Sequence, residues 1–290
     1  MQTCRSTIWF FALSTIVTLG TIPIAAEEAK CDVDLKLILA VDVSDSMSRE
    51  ELELQRKGYA STFRDPNVAR AIASGEIGRI AVLFMEWAGP DHLYVVRPWT
   101  ILATPQDASA FADTVAMEPI AAHASMSGRA MSFGKSLDQA PIAIATATSI
   151  SAGLLFAREQ FHDRRFRGSR EVIDVSGNGT NNAGPPLAPV RDLLLSEGIT
   201  INGLPIAWSA ADDAIPVTSS GKPFLERYYE ACVIGGWGSF SIVVNDISRF
   251  QDAVRRKLIT EIAEREILAT PVSFVPAGAA EVDCTVQEGS

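Results

Sequence analysis

Leu37–Ser48 reads LILAVDVSDSMS, an apolar run that breaks into Asp42-x-Ser44-x-Ser46. Five apolar residues without alternation describe a strand covered on both faces, the habit of parallel sheets. Side chains at a strand end alternate with period two, so residues 42, 44 and 46 turn toward one side. One carboxylate and two hydroxyls, without sulfur or imidazole, form an oxygen set for a hard cation: Mg²⁺ first, with Mn²⁺ and Ca²⁺ as alternatives. The same residue types also cap helices. Ser48 followed by Glu51 is a capping box for a helix that starts near Arg49, so ligation and capping compete for this loop on local grounds.

Working outward, apolar runs alternate with helical patterns. Strands are expected at Leu35–Val43, Arg79–Glu86, Leu93–Pro98, Glu171–Ser176, Thr200–Trp208 and Phe240–Val244. Helices are expected at Arg49–Phe63, Pro105–Ala116, Ser149–Arg158, Pro189–Ser196, Pro223–Ala231 and Ile247–Leu268. In the last of these, Phe250, Val254, Leu258 and Ile262 form one apolar stripe at four-residue spacing. The pattern predicts an α/β fold of three layers, a doubly wound, mostly parallel six-stranded sheet with helices on both faces. Leu93–Pro98 follows its predecessor after the short turn Ala88-Gly89-Pro90-Asp91, so it should be an antiparallel edge strand.

Residues 1–26 read as a secretory signal: Arg5, an apolar stretch from Ile8 to Ile24, and Ala25-Ala26 before Glu27-Glu28. A domain over 27–268 and a C-terminal tail over 269–290 complete the expected organisation. Removing the signal takes away Arg5 and no acid, moving the formal charge from −10 to −11. An acidic chain of this kind is no nucleic-acid binder, because phosphate recognition needs a basic surface. No segment after residue 26 approaches the ~20 apolar residues of a membrane helix, so no membrane span is expected in the mature chain. The expected location is the periplasm or the exterior. Cys31, Cys232 and Cys284 fit no zinc spacing. Cys31 and Cys284 flank the domain, and chain ends often lie close together, so a Cys31–Cys284 disulfide with Cys232 as a buried thiol is expected. Other pairings stay open on sequence grounds.

Six segments together resemble the von Willebrand factor type A domain over roughly residues 32–268: VDLKLILAVDVSDSMS, GRIAVLFMEW, EVIDVSGNGTNN, GITINGLPI, YYEACVIGGWGSF and RKL. Within that superfamily the chain is most similar to a bacterial exported family without an assigned function. The resemblance implies a metal-ion-dependent adhesion site whose first loop is Asp42, Ser44 and Ser46. It implies a second-loop threonine at Thr148, with Thr146 as the alternative register. Its third loop usually carries an aspartate, where this chain has Asn178; Asp174 lies four residues earlier, inside the strand. An Asn keeps an oxygen for a metal-bound water but removes a negative charge, and losing an outer partner typically costs ~10–100-fold in metal affinity. The function implied is divalent-cation-dependent binding of a protein partner through an acidic side chain. A metal-free scaffold is the first alternative and an aspartate-based phosphatase-like hydrolase the second.

The rest of the chain offers little catalytic chemistry. Such phosphatases need a second acid two residues after the first, and Ser44 stands there. Gly-x-Ser-x-Gly, P-loop lysine and Gly-x-Gly-x-x-Gly patterns are all missing. His92, His123 and His162 are scattered and lack ligand-type neighbours. Asn178-Gly179-Thr180 spells a glycosylation sequon, here a coincidence of the third loop. Glu86-Trp87 and Trp208 are expected on the rim that carries Asp42, as core edge or as binding anchors. Trp237 is expected at the opposite end of the sheet. Glu118–Pro141 reads as a loop ahead of Thr148, either a specificity insert or a segment without a role.

Overall fold

The computed structural model describes residues 30–120, 147–207, 224–263 and 282–285. The chain enters through β1 (Cys31–Val33) and continues into β2 (Leu35–Asp42), all eight residues of which are buried. Next come α1 (Arg49–Phe63), α2 (Pro66–Ala73), β3 (Ile80–Trp87), β4 (Leu93–Leu102) and α3 (Pro105–Met117). After the gap follow α4 (Ile150–Gln160), β5 (Phe166–Gly168), β6 (Glu171–Gly177), α5 (Leu187–Ser196) and β7 (Thr200–Pro205). The last stretch holds α6 (Phe224–Tyr228), a π-helical turn (Tyr229–Val233), a 3-10 turn (Ile247–Arg249) and α7 (Phe250–Ile262).

The main sheet has the order β4-β3-β2-β6-β7, parallel throughout except for β4. β2 is therefore central, which is why its residues are apolar without alternation. Leu37, Leu39 and Val41 face one core with Tyr59, Phe63, Phe111, Phe250 and Leu258, from α1, α3 and α7. Ile38 and Ala40 face the other with Trp87, Leu154, Leu194 and Tyr229, from β3, α4, α5 and the π-turn. Each large apolar side chain buried this way contributes roughly 1.5–3 kcal/mol. The antiparallel edge strand lies where the sequence places it, and it tolerates Pro98 because one of its edges has no strand neighbour.

The sixth expected strand does not form. Phe240–Val244 touches β7 only through isolated bridges, at Gly203–Ser241 and Ile206–Val244, both parallel. Gly235 bridges Ile201 in the antiparallel sense just before. The chain thus reverses within a few residues, using left-handed Gly236 (φ 94°) and Gly238 (φ 67°), and a ladder cannot propagate through the reversal. Five strands make the sheet, and β1 and β5 pair separately as a two-stranded parallel ribbon. Strands of three residues are too short for alternation to reveal. The expected helix over Pro223–Ala231 is instead α6 followed by the π-turn, and α2 was not anticipated.

The expected Cys31–Cys284 bridge is also corrected: Cys284 joins Cys232, with Cα atoms 5.5 Å apart and a sequence separation of 52. Cys232 is buried in the π-turn, and Val282 and Cys284 pack against the same core. Docking of the C-terminal segment on that face, rather than proximity of the chain ends, decides the pairing. Among the described residues no helix is long and apolar enough to cross a membrane.

Candidate metal centre

Asp42 ends β2 at the carboxyl edge of the sheet, where open α/β sheets place ligands. Its side chain is fully buried. Oδ1 accepts from the Ser44 backbone N–H at 2.8 Å, and Gln55 of α1 pins the strand end by donating to the Asp42 carbonyl at 2.9 Å. Among the described residues Oδ2 has no hydrogen-bond partner. Burial pushes the carboxyl up from 3.8 to about 6, against the downward pull of the Ser44 N–H and hydroxyl and the Asn178 N–H. A buried carboxylate held only by neutral donors is costly.

The chain then turns, with Met47 N–H donating to the Ser44 carbonyl at 3.0 Å, and this brings two hydroxyls together. Ser44 Oγ lies 2.9 Å from Ser46 Oγ. Ser48 and Glu51 close the expected capping box, at 3.2 and 2.6 Å, so α1 begins directly behind the loop. Capping and a cation site are therefore compatible: Ser48 does the capping, and residues 42–46 remain available.

Asn178 follows β6 and closes on the first loop twice. Its Oδ1 accepts from Ser46 Oγ at 2.7 Å, and its Nδ2 donates to the Ser46 carbonyl at 3.0 Å. An aspartate has no such donor, so the amide gives the two loops a lock that an aspartate at this position cannot supply.

Thr148 stands just ahead of α4 and is almost fully buried. Its backbone is clamped by Asn182: Thr148 N–H donates to Asn182 Oδ1 at 2.8 Å, and Asn182 N–H donates to the Thr148 carbonyl at 2.9 Å. Its hydroxyl lies beside the third loop, since a Cβ on Gly179 would stand 3.4 Å from Thr148 Oγ1. Thr146, the alternative register, lies outside the described residues. Asp42, Ser44, Ser46 and Asn178 are thus joined by direct contacts, and Thr148 borders them through the Gly179 backbone. Asp174 is turned to the opposite face and pairs with Lys257 at 2.7 Å, so it takes no part.

Several supporting residues carried no role in the sequence reading. Gln55, Asn182, Asn181 and the tyrosine pair 228–229 all brace this end of the sheet. Asn181 Oδ1 accepts from Ser151 N–H at 2.9 Å, and its own N–H donates to Tyr228 OH at 3.1 Å. The strings NGTNN and YYEAC were the only signal, and long-range partners cannot be read from them. Of the two readings of Trp87, core edge and binding anchor, the structure gives the first: the ring is fully buried under α4 against Gly153. Glu86 is buried too, against Arg56. Trp208 lies outside the described residues, as does most of the 118–141 loop. Trp237 is 76% exposed, and its carbonyl accepts from Thr200 Oγ1 at the start of β7, the end away from Asp42.

The residue set fits a hard cation. Its donors are oxygens, its carboxylate is orphaned on one side, and among the described residues no positive side chain compensates it. Among the described residues no three His, Cys, Asp or Glu side chains gather into a metal-holding group, so the set rests on one acid and several hydroxyls.

Comparison with known proteins adds a family and a set of folds. Residues 32–140 and 125–266 match the family described as "Protein of unknown function (DUF1194)". No curated protein matches the chain. Solved structures similar to it include proximal thread matrix protein 1 from the mussel byssus (15% identity, TM-score 0.49, 81% of this chain and 49% of that one). The same protein with a zinc-occupied MIDAS motif gives 15% identity and a TM-score of 0.47, with 81% and 49% covered. The von Willebrand factor domain of the type V pili tip protein Mfa5 from Porphyromonas gingivalis gives 9% and 0.44, with 79% and 95% covered. The chain spans about half the length of the byssus structures it matches.

Proposed function

The chain belongs to the DUF1194 family, and we propose that it is a divalent-cation-dependent protein-binding module of the cell envelope, with a type A fold. The observation that carries this reading is Asp42, a fully buried carboxylate at the carboxyl edge of the sheet with one oxygen unpartnered. Asp42, Ser44, Ser46 and Thr148 would hold the ion, Mg²⁺ before Mn²⁺ or Ca²⁺. Asn178 keeps the first and third loops together through Ser46. A bound cation supplies an electrophilic acceptor for one carboxylate of a protein partner. The chain's own acidity opposes that partner only mildly, because charges beyond ~8 Å are largely screened at physiological ionic strength. Export fits the Cys232–Cys284 disulfide, which persists in oxidising compartments. Residues 1–26 as a signal and 269–290 as a tail complete this proposal.

A metal-free scaffold is the second reading. It is favoured by one observation, that Ser44, Ser46 and Asn178 already satisfy one another. Calorimetric titration of Mg²⁺ and Mn²⁺ into the protein, beside Asp42→Ala, separates the two. Saturable heat in the wild type that vanishes in the variant is the expected result. No saturable heat in either protein would leave the scaffold reading standing.

A further inference from the structure

Behind Asp42 lies a second orphan. Tyr229 begins the π-turn, its ring is fully buried, and its hydroxyl has no hydrogen-bond partner. Both unpartnered oxygens border one position, Gly177 at the end of β6. A Cβ built there would stand 2.8 Å from Asp42 Oδ2 and 3.0 Å from Tyr229 OH. With no side chain at Gly177, the backbone there packs closely against both a carboxylate oxygen that can only accept and a phenol that can donate. Leaving both unmet costs roughly 1–3 kcal/mol for each buried group, whereas a direct bond or one bridging water satisfies both.

We infer that Tyr229 is a positioning residue for the cation site, its hydroxyl donating to Asp42 Oδ2, directly or through one bridging water beside Gly177. This rests on the cation-binding reading of Asp42 and adds to it the group that fixes the carboxylate's orientation. Its neighbour Tyr228, the last residue of α6, braces the third loop through the Asn181 N–H. The two tyrosines therefore support two of the site's loops from the junction of α6 and the π-turn. The π-turn is held down by the Cys232–Cys284 disulfide, three residues on from Tyr229. A π-turn is a rare local geometry and recurs at functional sites. Here the passage from α6 into the π-turn places consecutive hydroxyls near two loops.

Ligands whose outer hydrogen bonds are removed typically lose ~10–100-fold in metal affinity. Tyr229→Phe deletes only the hydroxyl, so the fold should survive with little change in melting temperature. Two measurements test the inference. In the metal-free protein, the proton NMR signal of the Tyr229 hydroxyl, assigned by its loss in Tyr229→Phe, should be protected from exchange and should move in Asp42→Asn. A signal that ignores Asp42→Asn would overturn the pair. In calorimetric titration with Mn²⁺, Tyr229→Phe should bind ~10–100-fold more weakly than the wild type. Equal affinity would overturn the positioning role. Absence of Mn²⁺ binding by the wild type would overturn the cation reading and with it this role, while the hydroxyl signal would still decide whether the pair exists.

Discussion

Asp42 and Glu86 end neighbouring strands one register step apart, since Val41 pairs with Glu86 and Asp42 with Trp87. Both side chains are buried, yet the chain treats them in opposite ways. Glu86 faces α1, where Arg56 supplies its counter-charge and also donates to the Val115 and Glu118 carbonyls at the end of α3. On the same face Lys257 does the equivalent for Asp174 and Glu261. Asp42, turned to the other face, receives only neutral donors among the described residues. A buried acid that holds a fold together has its cation built into the chain. An acid left without one at a sheet's carboxyl edge is suited to a cation from outside.

The strongest way to break that contrast is Arg56→Met. It removes the buried guanidinium that pairs with Glu86 and frees two helix-end carbonyls. Removing one partner of a buried pair costs about 3–5 kcal/mol, to be read from urea unfolding midpoints. Arg56→Met combined with Glu86→Gln should recover part of that loss. A cost below about 1 kcal/mol would mean that Glu86 needs no internal cation, and the two acids would no longer differ.

The next effect should run the other way. Asp42→Asn keeps an oxygen for the Ser44 N–H and removes a charge that burial makes unfavourable. Folding raises this carboxyl from 3.8 to about 6, so stability falls as pH climbs through that window and the deficit is complete at pH 7. The metal-free variant should therefore be more stable than the wild type at pH 7, by about 1–3 kcal/mol. Adding Mg²⁺ at a hundredfold excess over its dissociation constant should raise wild-type stability by about 2.7 kcal/mol and leave Asp42→Asn unmoved. Thermal melts with and without the ion give both numbers. A destabilised Asp42→Asn would make this carboxylate structural after all.

How much of this was legible depends on the range of the interactions. The LILAV run and Asp-x-Ser-x-Ser are local, and so are the Ser48–Glu51 box and the hairpin into β4; each was readable because neighbours in sequence decide it. The failed strand at Phe240–Val244 shows the limit, since its composition suits a strand but the reversal at Gly236 and Gly238 denies it a ladder. Cys284 could not be assigned to Cys232 without knowing which face the C-terminal segment covers. Asn178 was read as the loss of an acid, and only the contact with Ser46 shows what the amide contributes. Tyr229 and Asn182 act across 187 and 34 residues of chain from Asp42 and Thr148, distances at which sequence pattern carries no signal.

The smallest expected effect concerns the internal cluster, where the contrast can be sharpened rather than broken. Lys257 serves two acids, lying 2.7 Å from Asp174 and 2.5 Å from Glu261, while Asn202 Nδ2 donates to Glu261 at 2.9 Å. One ammonium cannot neutralise two carboxylates. Burial first, and Asp174 second, raise Glu261 from 4.5 to about 7, against the opposing pull of Lys257 and Asn202. The folded protein then holds a proton that the unfolded chain releases, so this group's contribution is complete below pH 4.5 and is lost as pH rises through about 7. In the Asp42→Asn background, which silences the raised carboxyl outside this cluster, stability should fall by about 1–2 kcal/mol between pH 5 and pH 7. Glu261→Gln in that background should flatten the slope, because the amide has no proton to lose. A stability that rises over this interval would mean that Lys257 neutralises both acids. The internal cluster would then be fully compensated, and Asp42 would stand alone among these buried acids in lacking a cation of its own.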